Sequence, residues 1–275
     1  VVGVESGQGE TTAHVAGLPV ESLAELSTAL PVQAVDPGVH KLIEEGPIRR
    51  RRFLDWGVFH VEQAYLAAWH RFHRVLRQRN AALRQQTPDE LLEAWDREFA
   101  DASTQVDACR SRYFDRLREP LQSTTQALLD VEITVEYSRG WPQDASIASV
   151  LGQRRAVDLA RRTTTAGPHR ADLDIRISGK RAKDTVSRGQ QKLLAAGLIL
   201  GQLDFHRREQ DLKSTLLLDD PAAELDRERL NRLLEAVAKL QPQLVLTALE
   251  PTEFDVLGKV SRMFHVEQGR VRQML

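Results

Sequence analysis

Apolar residues recur along this chain with two periods, and the points where one period gives way to the other divide it. At the start, VVGVES and TTAHVAG alternate on either side of GQGE, which predicts a β-hairpin turning at Ser6 to Glu10. PVESLAELSTAL then predicts a short helix beginning near Glu21 or Ser22, and Pro31 to Val35 a brief buried strand. DPGVHKLIEEGP adds a turn and one helical stretch ahead of Pro47.

From Ile48 the period becomes helical. The stretch from Ile48 to Gln86 has almost no breakers, so it predicts one long helix. Tyr65, Trp69, Phe72, Leu76 and Leu83 fall on an apolar stripe, with Arg71, Arg74 and Arg77 on the other side. Pro88 opens a second long helix with Asp89 and Glu90 in its first turn, where they suit the helix dipole, and Pro120 is expected to bend or break it. Two such helices bury little alone and should pair antiparallel as an arm. His60, His70 and His73 show no metal-ligand spacing and read as surface or packing residues.

Alternation returns at Val131 to Ser138, followed by a helix ending near Thr163. Strand and helix patterns then interleave: DLDIRISG, the helix after Ser187, STLLLDD, the DRERL helix, QLVLTAL and a final hairpin turning at Gln268-Gly269. The plan is an α/β fold interrupted by helices. Residues 1–47 and 163–275 form one domain, and 48–162 an inserted helical arm.

Composition narrows the function. Lys+Arg 38 against Asp+Glu 39 gives a formal net charge of −1, so any DNA contact must be a local patch. Hydrophobic content of 41% with 28% charged residues argues against disorder. The single cysteine, Cys109, excludes an internal disulfide and a cysteine metal cluster, and it suits a reducing cytoplasm. No apolar run approaches the ~18 residues of a membrane span, and no signal peptide is visible. The chain opens on Val1-Val2-Gly3 in what reads as a strand, so a preceding piece is expected.

Two stretches carry the chemistry. In DTVSRGQQKLL, Ser187 and Gln190 have capping-box spacing, and Gly189 lets a ligand approach a helix start that favours anions. In STLLLDDPAAELD, three leucines precede Asp219 and Asp220, as in a buried strand that delivers acids to the carboxyl edge of a sheet. Two acids there also fit a plain strand end capping the next helix. Paired with the Ser187 helix, they fit Mg²⁺ binding by Asp219 and water activation by Asp220.

VSRGQQKLL, LLLDDPAAELD, GPHRADL (Gly167 to Leu173) and EEGPIRRRRFLDWGVFHVE together resemble the bacterial RecF family, relatives of the ABC and SMC-type ATPases. The resemblance spans nearly the whole chain. It implies an ABC-ATPase-like (P-loop NTPase) head lacking its N-terminal Walker A part, since no G-x-x-x-x-G-K-[ST] occurs in the sequence. By that likeness Ser187, Gly189 and Gln190 are the signature motif and cap the γ-phosphate of ATP held by a second subunit. Asp219 is the magnesium carboxylate, Asp220 the catalytic one, and Gln33 a sensor of metal and phosphate. Glu224-Leu225-Asp226 resembles the loop by which Asp226 meets a dimer partner. Thr247 stands at the switch position, where many relatives have histidine. The family also implies ATP and Mg²⁺ as cofactors and slow ATPase activity. Its implied partners are single- and double-stranded DNA at gaps, a homodimer formed on ATP binding, RecO and RecR, and functionally RecA.

Other residues support two readings. Arg49, Arg50, Arg51 and Arg52, followed by Phe53, Trp56 and Phe59, could touch a DNA backbone or be paired with Glu44, Glu45 and Asp55 at a helix start. His169 and Arg170 could touch nucleotide or brace the sheet. Two rival classes remain. A transporter ATPase subunit is disfavoured by the long stretch between Gln33 and Ser187, and a non-enzymatic DNA-binding protein would keep its acids only for structure.

Overall fold

The computed structural model describes all residues except 1, 8, 9, 21, 224, 250–256, 258–261 and 275. It divides into two compact units, one of Val1–Val39 with Lys213–Leu275 and the other of His40–Leu212. The boundaries fall at 39/40 and 212/213, where the periodicity suggests 47/48 and 162/163.

The first unit opens with an antiparallel meander of β1 (Val2–Gly7), β2 (Glu10–Val15) and β3 (Leu18–Pro19). The expected hairpin is present, and the middle of its turn lies outside the described residues. Helix α1 (Leu23–Ala29) is capped by Ser22, whose hydroxyl accepts from the Glu25 N–H; Glu21 lies outside the described residues. Strand β4 (Val32–Val35) follows.

The second unit comprises α2 (Lys41–Glu44), α3 (Pro47–Val61), α4 (Tyr65–Gln85), α5 (Asp89–Leu129), β5 (Ile133–Ser138), α6 (Ile147–Arg161), β6 (Asp172–Ile177), β7 (Lys180–Arg181), α7 (Ala182–Thr185) and α8 (Arg188–Gln210). A single 3-10 turn spans Pro168–Arg170. The long helix expected from Ile48 is therefore two. Glu62 takes extended dihedrals and ends α3, and its carboxylate is held at 2.6 Å by Arg112 of α5. Nothing in the Glu62-Gln63-Ala64 sequence breaks a helix, so tertiary contact overrides local propensity. Helix α4 runs antiparallel to α5 as expected, with Arg71 bonded to Asp101 and Arg79 to Asp96 nearer the connecting turn. Its buried stripe is Tyr65, Ala68, Phe72, Val75, Arg79, Ala82 and Leu83, while Trp69 and Leu76 are only half-buried.

Helix α5 is continuous through Pro120, so the expected break is absent. The missing Pro120 N–H costs one helical hydrogen bond, but α8 packs tightly at that point. A Cβ on Gly201 would lie 2.9 Å from the Pro120 carbonyl oxygen, and one on Gly197 3.1 Å from the Thr125 Cα. Only glycine lets the two backbones approach this closely. Strands β5, β6 and β7 form an antiparallel sheet whose Ile133, Val135, Leu173, Ile175 and Ile177 are buried, with β5 against α5 and β6 against α3. The chain between residues 163 and 212 thus folds with the helices.

Back in the first unit, β8 (Thr215–Asp219), α9 (Arg227–Leu240) and β9 (Gln243–Thr247) make a parallel crossover, giving a sheet ordered β4-β8-β9. A hairpin of β10 (Phe264–Glu267) and β11 (Arg270–Gln273) ends the chain, turning at Gln268-Gly269 as expected. Both turn residues have positive φ, 48° and 77°, as a type I′ turn requires. Among the described residues, no helix is long and apolar enough to cross a membrane.

Candidate functional site

Asp219 is the last residue of β8 and lies in register with Thr247, the last residue of β9. Paired residues of parallel strands share a face, so the two side chains meet at the carboxyl edge of the sheet. The Thr247 hydroxyl donates to Asp219 Oδ1 at 2.5 Å and accepts the Asp220 N–H at 3.0 Å. One hydroxyl therefore orients a carboxylate and fixes the backbone of the next residue. Asp220 sits at φ 42°, a left-handed conformation uncommon outside glycine. Its carbonyl accepts the Ala223 N–H at 3.1 Å. Among the described residues neither the Asp220 carboxylate nor Asp219 Oδ2 has a partner. The acids do not cap the following helix: that role belongs to Asp226, which accepts the Arg229 N–H at 2.9 Å and pairs with the Arg229 side chain at 3.0 Å. Of the expected partner-contact loop, Glu224 lies outside the described residues.

A carboxylate oriented by a hydroxyl, with one oxygen unengaged, suits a hard cation that takes oxygen ligands and keeps several waters. The donor set fits Mg²⁺ in chemistry. Gln33 is less directly placed. It pairs with Leu216, three residues before Asp219 on β8, and strand alternation puts it on the face of Leu216 and Leu218 rather than that of Asp219.

In the other unit, Ser187 caps α8 as its spacing suggests. Its hydroxyl accepts the Gln190 N–H at 3.4 Å, and Gln190 Oε1 accepts the Ser187 N–H at 3.0 Å, so the capping box is complete. Ser187 is exposed, and Gly189 and Gln190 are half-buried. Because the Ser187 oxygen already accepts, its hydroxyl proton is left to donate outward. The Gly189 N–H has no acceptor within the helix.

The four arginines at the start of α3 do not form one surface. Arg50 is buried and bidentate to Asp172 at 2.7 and 3.0 Å, with three carbonyl contacts besides. It is a structural brace, as an arginine with every direction satisfied inside the unit must be. Arg49 pairs with Glu45. Arg51 donates to the Ala171 carbonyl at 2.7 Å, and Arg52 is exposed.

His169 braces rather than projects. Its Nε2 lies 2.9 Å from the Thr164 carbonyl oxygen, and its ring sits beside Phe72 and Phe99. Burial pulls its pKa down to about 4. Arg79, which belongs to no motif of the sequence, is fully buried on the apolar stripe of α4. It bonds Asp96 at 2.7 Å, Asp158 at 2.8 Å and Thr164 at 2.8 Å. Asp158 in turn accepts from the Thr165 N–H and hydroxyl, so this network fastens the Thr164-Thr165 turn ahead of Gly167 to the helices. A charged residue at a stripe position was the available signal.

No family model matches the chain. The DNA replication and repair protein RecF of Shewanella sp. (strain MR-7) is 40% identical over 266 residues, covering 96% of this chain and 74% of the relative. Its counterpart in Shewanella oneidensis is 39% identical over the same share. Among solved structures, the recombination mediator protein RecF with ATP in the RecFOR pathway superposes with a TM-score of 0.83 at 23% identity, over 97% of this chain and 74% of that one. An Smc head bound to the C-terminal winged-helix domain of ScpA gives a TM-score of 0.55 at 11% identity, over 97% of this chain and 64% of that one. The fold is that of the RecF and Smc head structures.

Proposed function

The chain belongs to the RecF family of DNA replication and repair proteins, and we propose that it acts as an ATP-controlled DNA-binding protein of recombinational repair and the damage response. The observation that carries this reading is the pair of acids at the β8 edge, with Thr247 bridging from Asp219 to the Asp220 backbone. In this reading Asp219 holds Mg²⁺ through its unengaged oxygen, with Gln33 sensing metal and phosphate from β4. Asp220 takes the proton of a hydrolytic water. Bound Mg²⁺–ATP supplies the phosphate charge on which two copies converge. Ser187, Gly189 and Gln190 meet that charge from the second copy, where the exposed hydroxyl and the Gly189 N–H donate to an anion. Asp226 contacts the partner, and Thr247 tunes Asp219 rather than touching phosphate itself. DNA at gaps, RecO and RecR, and RecA loading complete the proposed pathway, in the cytoplasm.

The 275 residues contain no G-x-x-x-x-G-K-[ST] sequence, so this chain by itself is expected neither to bind ATP tightly nor to turn it over. The test uses the native gene product in light scattering with ATP and Mg²⁺. Dimerisation should appear with ATP, survive Asp220→Asn while hydrolysis stops, and disappear in Asp219→Asn. A native protein that stays monomeric at every ATP concentration would sink the reading.

A further inference from the structure

The turn at Pro168–Arg170 is held from below by arginines. Arg110 of α5 is bidentate to Asp55 at 2.8 and 2.9 Å and donates its remaining arm to the Pro168 carbonyl at 2.8 Å. Arg50 occupies both oxygens of Asp172 in the same way. Each of those two carboxylates is thus engaged by a buried arginine other than Arg51 and Arg170. Arg51 and Arg170 sit beside them with no carboxylate of their own among the described residues: Arg51 reaches only the Ala171 carbonyl, and Arg170, exposed, only the Thr164 carbonyl at 3.4 Å. Four guanidiniums thus stand against two carboxylates, leaving a local excess of positive charge on a protein whose net charge is −1.

Burial, followed by repulsion from Arg110, lowers the proton affinity of Arg51; Asp172 and Asp55 partly offset this, and Arg170 adds to the repulsion. Asp55 and Arg110 also act on His73 of α4, so that side of α4 borders the same region. Arg77, one helical turn beyond His73 and acting on it, and Arg52, next to Arg51 in α3, are both exposed and without a carboxylate partner among the described residues.

We propose that Arg51 and Arg170, flanked by Arg52 and Arg77, form a surface that receives the phosphodiester backbone of DNA. The inference rests on the DNA-binding reading above and says where on the chain it is exercised. The geometry suits a backbone rather than a base. Arg170 lies in a braced turn and is exposed, Arg51 lies on a helix and is half-buried, and guanidinium matches phosphate bidentately.

The test measures binding of a fluorescent duplex by the native gene product with ATP, from about 50 to 200 mM salt, where each lost phosphate contact makes the log–log salt slope shallower by about 0.9. Arg51→Gln with Arg170→Gln should weaken binding roughly tenfold and flatten the slope by nearly two contacts. The control pair Arg97→Gln and Arg154→Gln removes the same charge from exposed sites elsewhere and should leave the slope unchanged. If the Arg51 variant fails to fold, Arg170→Gln with Arg77→Gln carries the test. A slope equal in the test and control pairs, with the native protein binding DNA, overturns this surface and leaves the function standing. A native protein that binds no duplex overturns both.

Discussion

In the helical unit the facing sides of α5 and α8 are buried almost completely, with Leu117, Leu121, Leu194 and Leu198 inaccessible to solvent. In the sheet unit the central strand β8 buries Leu216 and Leu218 but leaves Leu217 38% exposed, and its neighbour Val245 is 51% exposed. A parallel sheet ordinarily has both faces covered. Asp219 and Thr247 lie on the same face as Leu217 and Val245, the less covered one. The difference shows where each unit keeps its specificity. The helical unit fixes its turns by buried charge and close backbone packing, whereas the sheet unit holds its candidate chemistry by a single exposed hydroxyl. Local stability is expected to differ accordingly, with the low-stability end at the functional edge.

The largest effect should come from breaking the buried charge in the helical unit. Asp158→Ala leaves Arg79 inside with one carboxylate fewer and strips the Thr165 N–H and hydroxyl of their acceptor. Removing one partner of a buried pair costs about 3–5 kcal/mol, so urea denaturation should show a loss of that order. A loss below about 1 kcal/mol, the range of exposed pairs, would mean that the network is not the anchor the geometry suggests.

That network also marks the limit of what was legible in the sequence. The Ser187 cap was readable because both partners sit within four residues, and the β8 edge because three leucines before two acids is a local pattern. The register of Asp219 with Thr247 follows once both strands are read in parallel. Arg79 was not readable: its carboxylates Asp96 and Asp158 come from α5 and α6, and only the fold joins them. The end of α3 at Glu62 and the continuity of α5 through Pro120 were missed for the same reason, since Arg112 and Gly201 decide them from a distance. The Arg49–Arg52 run shows the intermediate case. Its charge was visible, but which arginine turns inward depends on Asp172, in β6.

A smaller effect should separate the units by pH. His206 is inaccessible to solvent, stacked on Trp56 at 5.3 Å between ring centroids, with its Nε2 2.8 Å from the Tyr113 hydroxyl. Burial, with repulsion from His60 next, lowers its pKa to about 3, and burial holds His60 at about 4. In the unfolded chain a histidine titrates near ~6.5. Below that pH the unfolded chain binds protons that the native one refuses. The stability these residues contribute is thus complete above about pH 6.5 and is lost as pH falls toward their folded pKa values. Each such histidine should add a slope of about 1.4 kcal/mol per pH unit in that window. Denaturation midpoints followed from about pH 6.5 to 4.5 should flatten by one histidine's share in His206→Gln. An unchanged slope would mean that His206 is protonated in place.

The smallest change in stability should attend Thr247, and it bears most directly on the sheet edge. Its two hydrogen bonds are exposed, so Thr247→Val, which keeps the shape and removes the hydroxyl, should cost only about 0.5–1.5 kcal/mol. The local consequence is larger than the global one. The Asp220 N–H loses its acceptor while its backbone remains at φ 42°, a conformation that this bond helps to hold. Hydrogen exchange at the Asp220 amide should therefore accelerate at least tenfold in Thr247→Val, with protection across α5 and α8 unchanged, and Thr247→Ser should restore it. If the amide exchanges equally in all three proteins, the turn is held by the Ala223–Asp220 bond alone, and Thr247 does not organise the acids.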